Sequence, residues 1–334
     1  MSHRLSAVIG LTQFLISISV CAQDPSTSRV LSAVEGSGHV FPAKPVRLVT
    51  AEVGGGHDLA ARLIAQGLTA SLGQQFLVDN RAGAIIAGQY VAKAAPDGYT
   101  LMIYGSSLWL MPFMRSNVPY DVLRDFAPIG LEVNSPVLLV VHPSLPVKTV
   151  KELIALAKSK PGALDYATGQ TGASTHLASE LFKVMAKVDM QRIPYKGNGP
   201  AMNGLIGGQV QLMFPTAGTV ASHLKSGRVR ALAITSAKPS ALFPDLPTVA
   251  AAGLPGFECD SFIGAFAPAK VAPAIINLLS KEMASAVNKP EIKQRFAAVG
   301  IETIGSSPQV LAATVKSEMT RLGKLIKDIG LRDE

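Results

Sequence analysis

Cysteine is nearly absent from this chain. Among 334 residues only Cys21 and Cys259 are cysteines, which excludes a disulfide-stapled framework and a cysteine-rich metal site. Charge is sparse too, at 16% of residues, and never gathers into a block of five or six basic side chains; aromatics stand at 6% and do not interleave with arginine. The formal net charge of +8 is therefore spread thinly. That distribution argues against a nucleic-acid surface and is compatible with a mild attraction for small anions. No Gly-Lys-Ser/Thr loop, Gly-x-Ser-x-Gly elbow or His-Glu-x-x-His helix occurs, so nucleotide, serine-hydrolase and zinc-protease chemistries lack their motifs. His3, His39, His57, His142, His176 and His223 show no metal spacing. Ser174 and His176, two positions apart in a helix, face different ways and form no dyad. With no nucleophile, metal or cofactor signature, neither an enzyme nor a cofactor is expected.

An apolar run of the ~20 residues that span a membrane is also missing. Residues 5–20 are almost free of charge, follow Arg4, and run into the small residues of "VCA" (20–22). This pattern reads as a secretory signal peptide over 1–22, cleaved after Ala22; the competing reading, a membrane anchor, asks more length of a run rich in Ser and Thr. Cleavage removes Cys21 and leaves Cys259, inside "GFECDSF", as a buried small hydrophobe. Residues 23–40 hold Asp, Pro, Ser, Thr and Gly without periodicity and read as a flexible leader.

What remains is 48% hydrophobic overall, ample for a large core. Short apolar runs alternate with helical patterns. "VRLVT" (46–50), "QFLVDN" (75–80) and "TLMIYG" (100–105) read as strands, with helices over "HDLAARLIAQGL" and "IIAGQYVAKAA" between them. A second series follows "SPVLLVVHPSLP" (135–146): a helix opened by a Thr149/Glu152 capping box, a strand at 163–168, the helix "STHLASELFKVMA", and strands at 210–216 and 229–236. Two tail helices close the chain, the second entered at Ser307-Pro308 with Leu311, Val315, Leu322 and Ile326 inward. The alternation predicts parallel sheets covered by helices. The uncharged runs at 136–141 and 261–267 are the natural crossings between two units.

Three strand-to-helix turns carry the candidate chemistry. "VGGGHD" (53–58) removes side chains in front of a helix start, where unpaired N–H groups and the helix dipole attract an anion. A tight turn needing positive φ explains the same glycines, and Asp58 competes for the same donors by capping. "TGQTGAST" (168–175) offers hydroxyls and N–H groups before the next lobe's helix, where Ser174 or Thr175 also serves as an N-cap. "YGSSLW" (104–109) supplies Ser106 and Ser107 at a third strand end. In open α/β sheets ligands sit at such carboxyl ends, so the three turns predict a cleft.

Taken together, "FPAKPVRLV" (41–49), "GGGHDLAARLIAQGLTASLGQ" (54–74), "VDNRAGA" (78–84), "VAKAAPDGYTLM" (91–102), "PYDVLRDFAPI" (119–129), "GASTHLASELF" (172–182), "PYKGNGPAMNGLIGGQVQLMF" (194–214) and "LPTVAAAGLPGF" (246–257) resemble the substrate-binding receptors of tripartite tricarboxylate transporters, the periplasmic Bug family. The resemblance implies a type II periplasmic-binding-protein fold: two α/β lobes, 41–140 plus 262–334 and 141–261, hinged around a ligand cleft. It implies an exported, periplasmic protein, monomeric by default, that binds a small mono- or dicarboxylate and presents it to membrane permease subunits, or alternatively feeds a signalling receptor. Its ligand-binding residues carry over to Gly55, Gly56, His57, Asp58, Ser106, Ser107, Gln170, Thr171, Ser174, Thr175, Tyr195 and Thr216, with no catalytic or metal residues. The chain departs from the family's pattern at Ala51-Glu52-Val53, at His57 where Thr is usual, at Ile85-Ile86 in place of glycines, and at Pro215-Thr216 in place of Asp-Asn. These changes add charge and bulk near the expected pocket, compatible with a smaller, less charged or aromatic ligand, or one with a cationic group.

Overall fold

The computed structural model describes residues 41–51, 53, 56–81, 83–169 and 171–332. The signal peptide and leader expected at 1–40, and with them Glu52, Gly54, Gly55 and Gln170, lie outside the described residues. The chain runs β1 (Val46–Thr50), α1 (Gly56–Leu72), β2 (Phe76–Asn80), α2 (Ala84–Ala92), β3 (Thr100–Gly105), α3 (Ser107–Met114), α4 (Val122–Asp125) and β4 (Phe126–Asn134). Then follow β5 (Leu138–Val141), α5 (Val150–Ser159), β6 (Asp165–Thr168), α6 (Ser174–Ala186), β7 (Gln191–Pro194), α7 (Asn198–Ile206), β8 (Leu212–Met213), α8 (Ala217–Lys225) and β9 (Arg230–Ile234). β10 (Phe262–Pro268), α9 (Pro273–Asn288), α10 (Pro290–Ala298), β11 (Glu302–Thr303) and α11 (Pro308–Asp328) complete it.

Two sheets result, ordered β11-β4-β10-β3-β1-β2 and β7-β6-β8-β5-β9. Both are mixed rather than parallel. β1, β2 and β3 pair in parallel as the alternation predicts, but β10 returns antiparallel to both β3 and β4, and β5 runs antiparallel to β8 and β9. The cause is connectivity: β4 and β10 enter and leave the first sheet through segments that go to the second sheet, with no covering helix between them. The chain crosses at 135–137 and returns along the stretch between β9 and β10. The two crossing segments are tied together, Ser135 N–H donating to Ser261 O at 3.0 Å and Asn134 Nδ2 to Asp260 Oδ1 at 3.1 Å. Burial pushes the Asp260 carboxyl up to about 6, against the lowering effect of the Asn134 bond.

Local chemistry accounts for most element ends. Thr149 Oγ1 accepts from Glu152 N–H at 3.1 Å as a cap should, while the Glu152 carboxylate takes Lys148 N–H at 2.6 Å instead of the cap's own N–H. The tail holds three helices, not two, because Pro290 cannot continue α9 and keeps Lys289 extended at φ −60°, ψ 136°. α11 buries Leu311, Val315, Leu322 and Ile326 as its periodicity predicts, each buried side chain contributing about 1.5–3 kcal/mol of transfer free energy. From α11, Glu318 accepts a 2.8 Å bond from the indole N–H of fully buried Trp109, which anchors α3. Cys259 is fully buried, its Sγ 3.5 Å from Ser174 O, and burial pushes its thiol pKa up, so it packs as a hydrophobe behind the start of α6. Among the described residues, no helix is long and apolar enough to cross a membrane.

Candidate functional site

Between the two sheets lie two adjoining compartments, of about 420 and 600 Å³. His57, Ala173, Ser174 and Ser261 line both and mark their junction. The smaller compartment is closed by the ends of β1 and β3 and by the loop before α6, through Ala51, Tyr104, Gly105, Ser106, Ser107 and Thr171. The larger has hydroxyl and amide groups of Thr175, Asn198, Thr216 and Thr219 on the second lobe. Facing them from the first lobe stand Leu59, Ile263, Val299 and Ile301. No Lys, Arg, Asp or Glu belongs to the described lining of either compartment.

What the cleft has instead of charge is helix starts. The N-cap residues Gly83, Ser106, Ala173, Gly197 and Thr216, of α2, α3, α6, α7 and α8, all line it, and so does the first turn of α1 at Gly56 and His57. None of those five caps takes a backbone N–H of its own helix on its side chain, and none of the helices begins with proline. Helices elsewhere are finished differently. Asp121 and Thr149 cap α4 and α5 with their side chains, and α9, α10 and α11 open on Pro273, Pro290 and Pro308, which have no N–H to satisfy. Donors and dipole ends left uncapped by side chains therefore concentrate on one cavity. Among the described residues, an anion in it meets many partial positive charges and no Lys or Arg.

The walls are held by side chains the ligand need not touch. Asn80 Nδ2 donates to Ala51 O at 2.7 Å and to Asp58 Oδ1 at 2.8 Å, tying the β1–α1 turn to β2. On the opposite wall, Arg192 donates to Thr168 Oγ1 at 2.8 Å and Thr171 Oγ1 at 3.0 Å. Gly172 N–H donates to His176 Nδ1 at 3.1 Å, which leaves the proton on Nε2, 3.5 Å from Glu180 Oε1. Burial works to raise the Glu180 carboxyl, but its bonds from His176 and Tyr166 and the charge of Lys183 bring it down to about 2. A fixed carboxylate thus orients His176, and His176 orients the loop that carries Thr171 and Ala173.

The structure gathers most residues singled out in sequence. His57, Ser106, Ser107, Thr171 and Ser174 line the smaller compartment; Gly56, His57, Ser174, Thr175 and Thr216 line the larger. A Cβ on Gly56 would meet no atom within 4 Å, so space is open in front of α1. Two residues stand apart. Asp58 is 4% exposed and outside the described lining, its carboxylate taken by Arg62 and Asn80. Tyr195 packs its ring over Gly204 and donates to Gln209 Oε1 at 3.2 Å, which turns it from the cleft. Ile86, expected to add bulk at the pocket, is 59% exposed beside Arg81 and Tyr90 on another face. Asn198, Thr219, Ser261, Gly83 and Gly105 join the site without having been singled out. Gly105 is required there, since a Cβ would stand 2.5 Å from His57 Nε2 and 2.9 Å from Phe262 O.

Two mixed sheets, two tied crossing segments and helix starts converging on the cavity between them define the type II periplasmic-binding-protein class. Within that class the chain belongs to the TctC family, the tripartite tricarboxylate transporter family receptors, whose model matches residues 60–331. It is 34% identical over 338 residues to protein BugT of Bordetella pertussis, covering 98% of each chain. Among solved structures it is similar to R. palustris Rpa4515 with adipate (35% identity, TM-score 0.76, covering 87% of this chain and 98% of that one). It is also similar to MatC from Rhodopseudomonas palustris with bound malate (30%, TM-score 0.73, 86% and 100%).

Proposed function

We propose that this solute-binding protein captures a small organic carboxylate in the cleft and delivers it to a tripartite tricarboxylate-type permease in the membrane, after export directed by residues 1–22. The observation that carries the reading is the set of helix starts left without side-chain caps around one cavity whose described lining holds no Lys, Arg, Asp or Glu. Dipoles and hydroxyls hold a carboxylate reversibly, as a carrier that must release its cargo requires, whereas a buried ion pair would bind and discriminate at a larger desolvation cost. The adipate and malate bound by the two similar structures support the ligand class. Lobes following the sheets, 41–137 plus 262–332 and 138–261, would close on the ligand about the tied crossing segments as a monomer.

The test is a thermal-shift screen of the purified protein against mono-, di- and tricarboxylates. A ligand at about 100 times its Kd adds roughly 2.7 kcal/mol, a shift of several degrees at this size. The shift is expected to shrink when Ser174 and Thr175 become alanine. Folded protein that shifts with no carboxylate would refute the reading, and uptake in cells with and without the permease tests delivery.

A further inference from the structure

The larger compartment is asymmetric in a way that the smaller one is not. Its first-lobe wall carries four aliphatic side chains, Leu59 from α1, Ile263 from β10, and Val299 and Ile301 from the turn into β11, beside Gly56, His57 and Ser135. No charged side chain belongs to its described lining. Across from that wall the hydroxyls are partly spent, Thr216 Oγ1 and Thr219 Oγ1 lying 3.0 Å apart and bonded to each other. Thr175, 3% exposed, lines the compartment with an Oγ1 that has no partner. Helix starts reach both compartments, those of α1, α2, α3 and α6 the smaller and those of α1, α6, α7 and α8 the larger, but the smaller adds the Ser106 and Ser107 hydroxyls and has no Leu, Ile or Val in its described lining. A second carboxylate in the larger compartment would lose water against four aliphatic side chains, with the helix starts of α6, α7 and α8 and the hydroxyls opposite as its compensation. A hydrocarbon tail laid on the aliphatic wall removes apolar surface from water on both sides.

Resting on carboxylate capture as proposed above, we infer that the ligand is a monocarboxylate with an apolar tail, its carboxylate among the helix starts of the smaller compartment and its tail against Leu59, Ile263, Val299 and Ile301. His57 and Ser174, at the junction, flank the point where the tail leaves the head group. Val299 lines the compartment and is 38% exposed, so a long tail meets solvent beside it.

Calorimetric titration with two homologous series tests this: straight-chain monocarboxylates from acetate to octanoate, and dicarboxylates from succinate to suberate. The expected result is a monocarboxylate affinity that rises about fourfold per methylene, the transfer free energy of one CH2, until the compartment is filled, with each dicarboxylate weaker than the monocarboxylate of equal length. In the exposed-position variant Val299→Asn the increment for the longest acids is expected to fall. Affinity flat with length, dicarboxylates tighter at equal length, or an unchanged increment in Val299→Asn each overturns the tail assignment and leaves carboxylate capture standing. No binding by any member of either series overturns both.

Discussion

The least accommodated side chain in the molecule is Glu132. It is 1% exposed, both its carboxylate oxygens lack a partner, and burial alone pushes its pKa up to about 8 from an ordinary 4.5. Glu318 is raised to about 7 and Asp260 to about 6, also chiefly by burial. For each, the folded state holds its proton more tightly than the unfolded chain, so stability is fully present below about pH 4.5 and is lost as pH rises through the folded pKa. The melting temperature is therefore expected to fall between pH 5 and 8 through these groups. Glu132→Gln is expected to flatten that fall and to melt a few degrees above the parent at pH 8; thermal denaturation across that range measures it, and a variant that melts lower at pH 8 would mean the ionised Glu132 has a compensating partner. Glu132 was illegible in sequence, since a lone glutamate in "IGLEVN" reads as any other strand residue. That Ser106, Ser107 and Ser174 line the cavity was legible, because each stands in a turn between a strand and the start of a helix. Asp58 and Tyr195 lie outside the described lining for a shared reason: a side chain's address in the chain fixes its element but not which neighbour wins it. Asn80 and Gln209 are competitors that only the fold brings near, whereas Arg62, four residues on in the same helix, is a competitor the spacing shows.

At the scale of elements, β1 and β3 fall where their apolar runs begin and end, and α5 starts at its cap. Thr149→Ala should cost about 1 kcal/mol of stability, the usual worth of such a cap, with ligand affinity unmoved, as chemical denaturation and titration of the same preparation would show. A loss of affinity would place α5 in communication with the cleft. α7 and α8 escaped the sequence reading. "NGPAMNGLI" carries two glycines and a proline, poor helix formers, yet Ala201, Met202 and Leu205 are buried and Gly204 admits the Tyr195 ring, so tertiary packing makes the helix. Strand expectations at 210–216 shrank to Leu212–Met213: Pro215 accepts from Leu138 N–H but has no N–H of its own to extend the ladder toward Thr216, which pairs with Val137 only as an isolated bridge.

At the scale of the whole molecule, the lobes meet beside the cleft at two glycines, Gly218 and Gly300. A Cβ on Gly218, in the first turn of α8, would lie 2.6 Å from Val299 O of the first lobe, and Gly300, at φ +72°, packs on Ala217. Gly218→Ala should therefore hold the lobes apart. Overpacking of about 1–3 kcal/mol against the closed arrangement predicts an affinity loss of roughly tenfold and a larger radius of gyration with ligand in small-angle scattering. Unchanged affinity would show that the ligand does not need this contact. Two lobes were legible from two alternating series, whereas the mixed sheets were not, because the antiparallel return of β10 depends on where a crossing segment re-enters and no residue pattern records that.

If helix starts without side-chain caps hold the ligand as proposed, the N–H groups behind Ala173 are the ones most open to a direct test. Ala173 caps α6 at φ −65°, ψ 153°, the extended conformation that suits a capping side chain. Ala173→Asn places a neutral amide on the N–H groups assigned to the carboxylate. Melting of the unliganded protein and calorimetric titration with its preferred carboxylate should move in opposite senses: stability up by about 1 kcal/mol, affinity down tenfold or more. A variant that is stabilised and binds as tightly as the parent would contradict the claim.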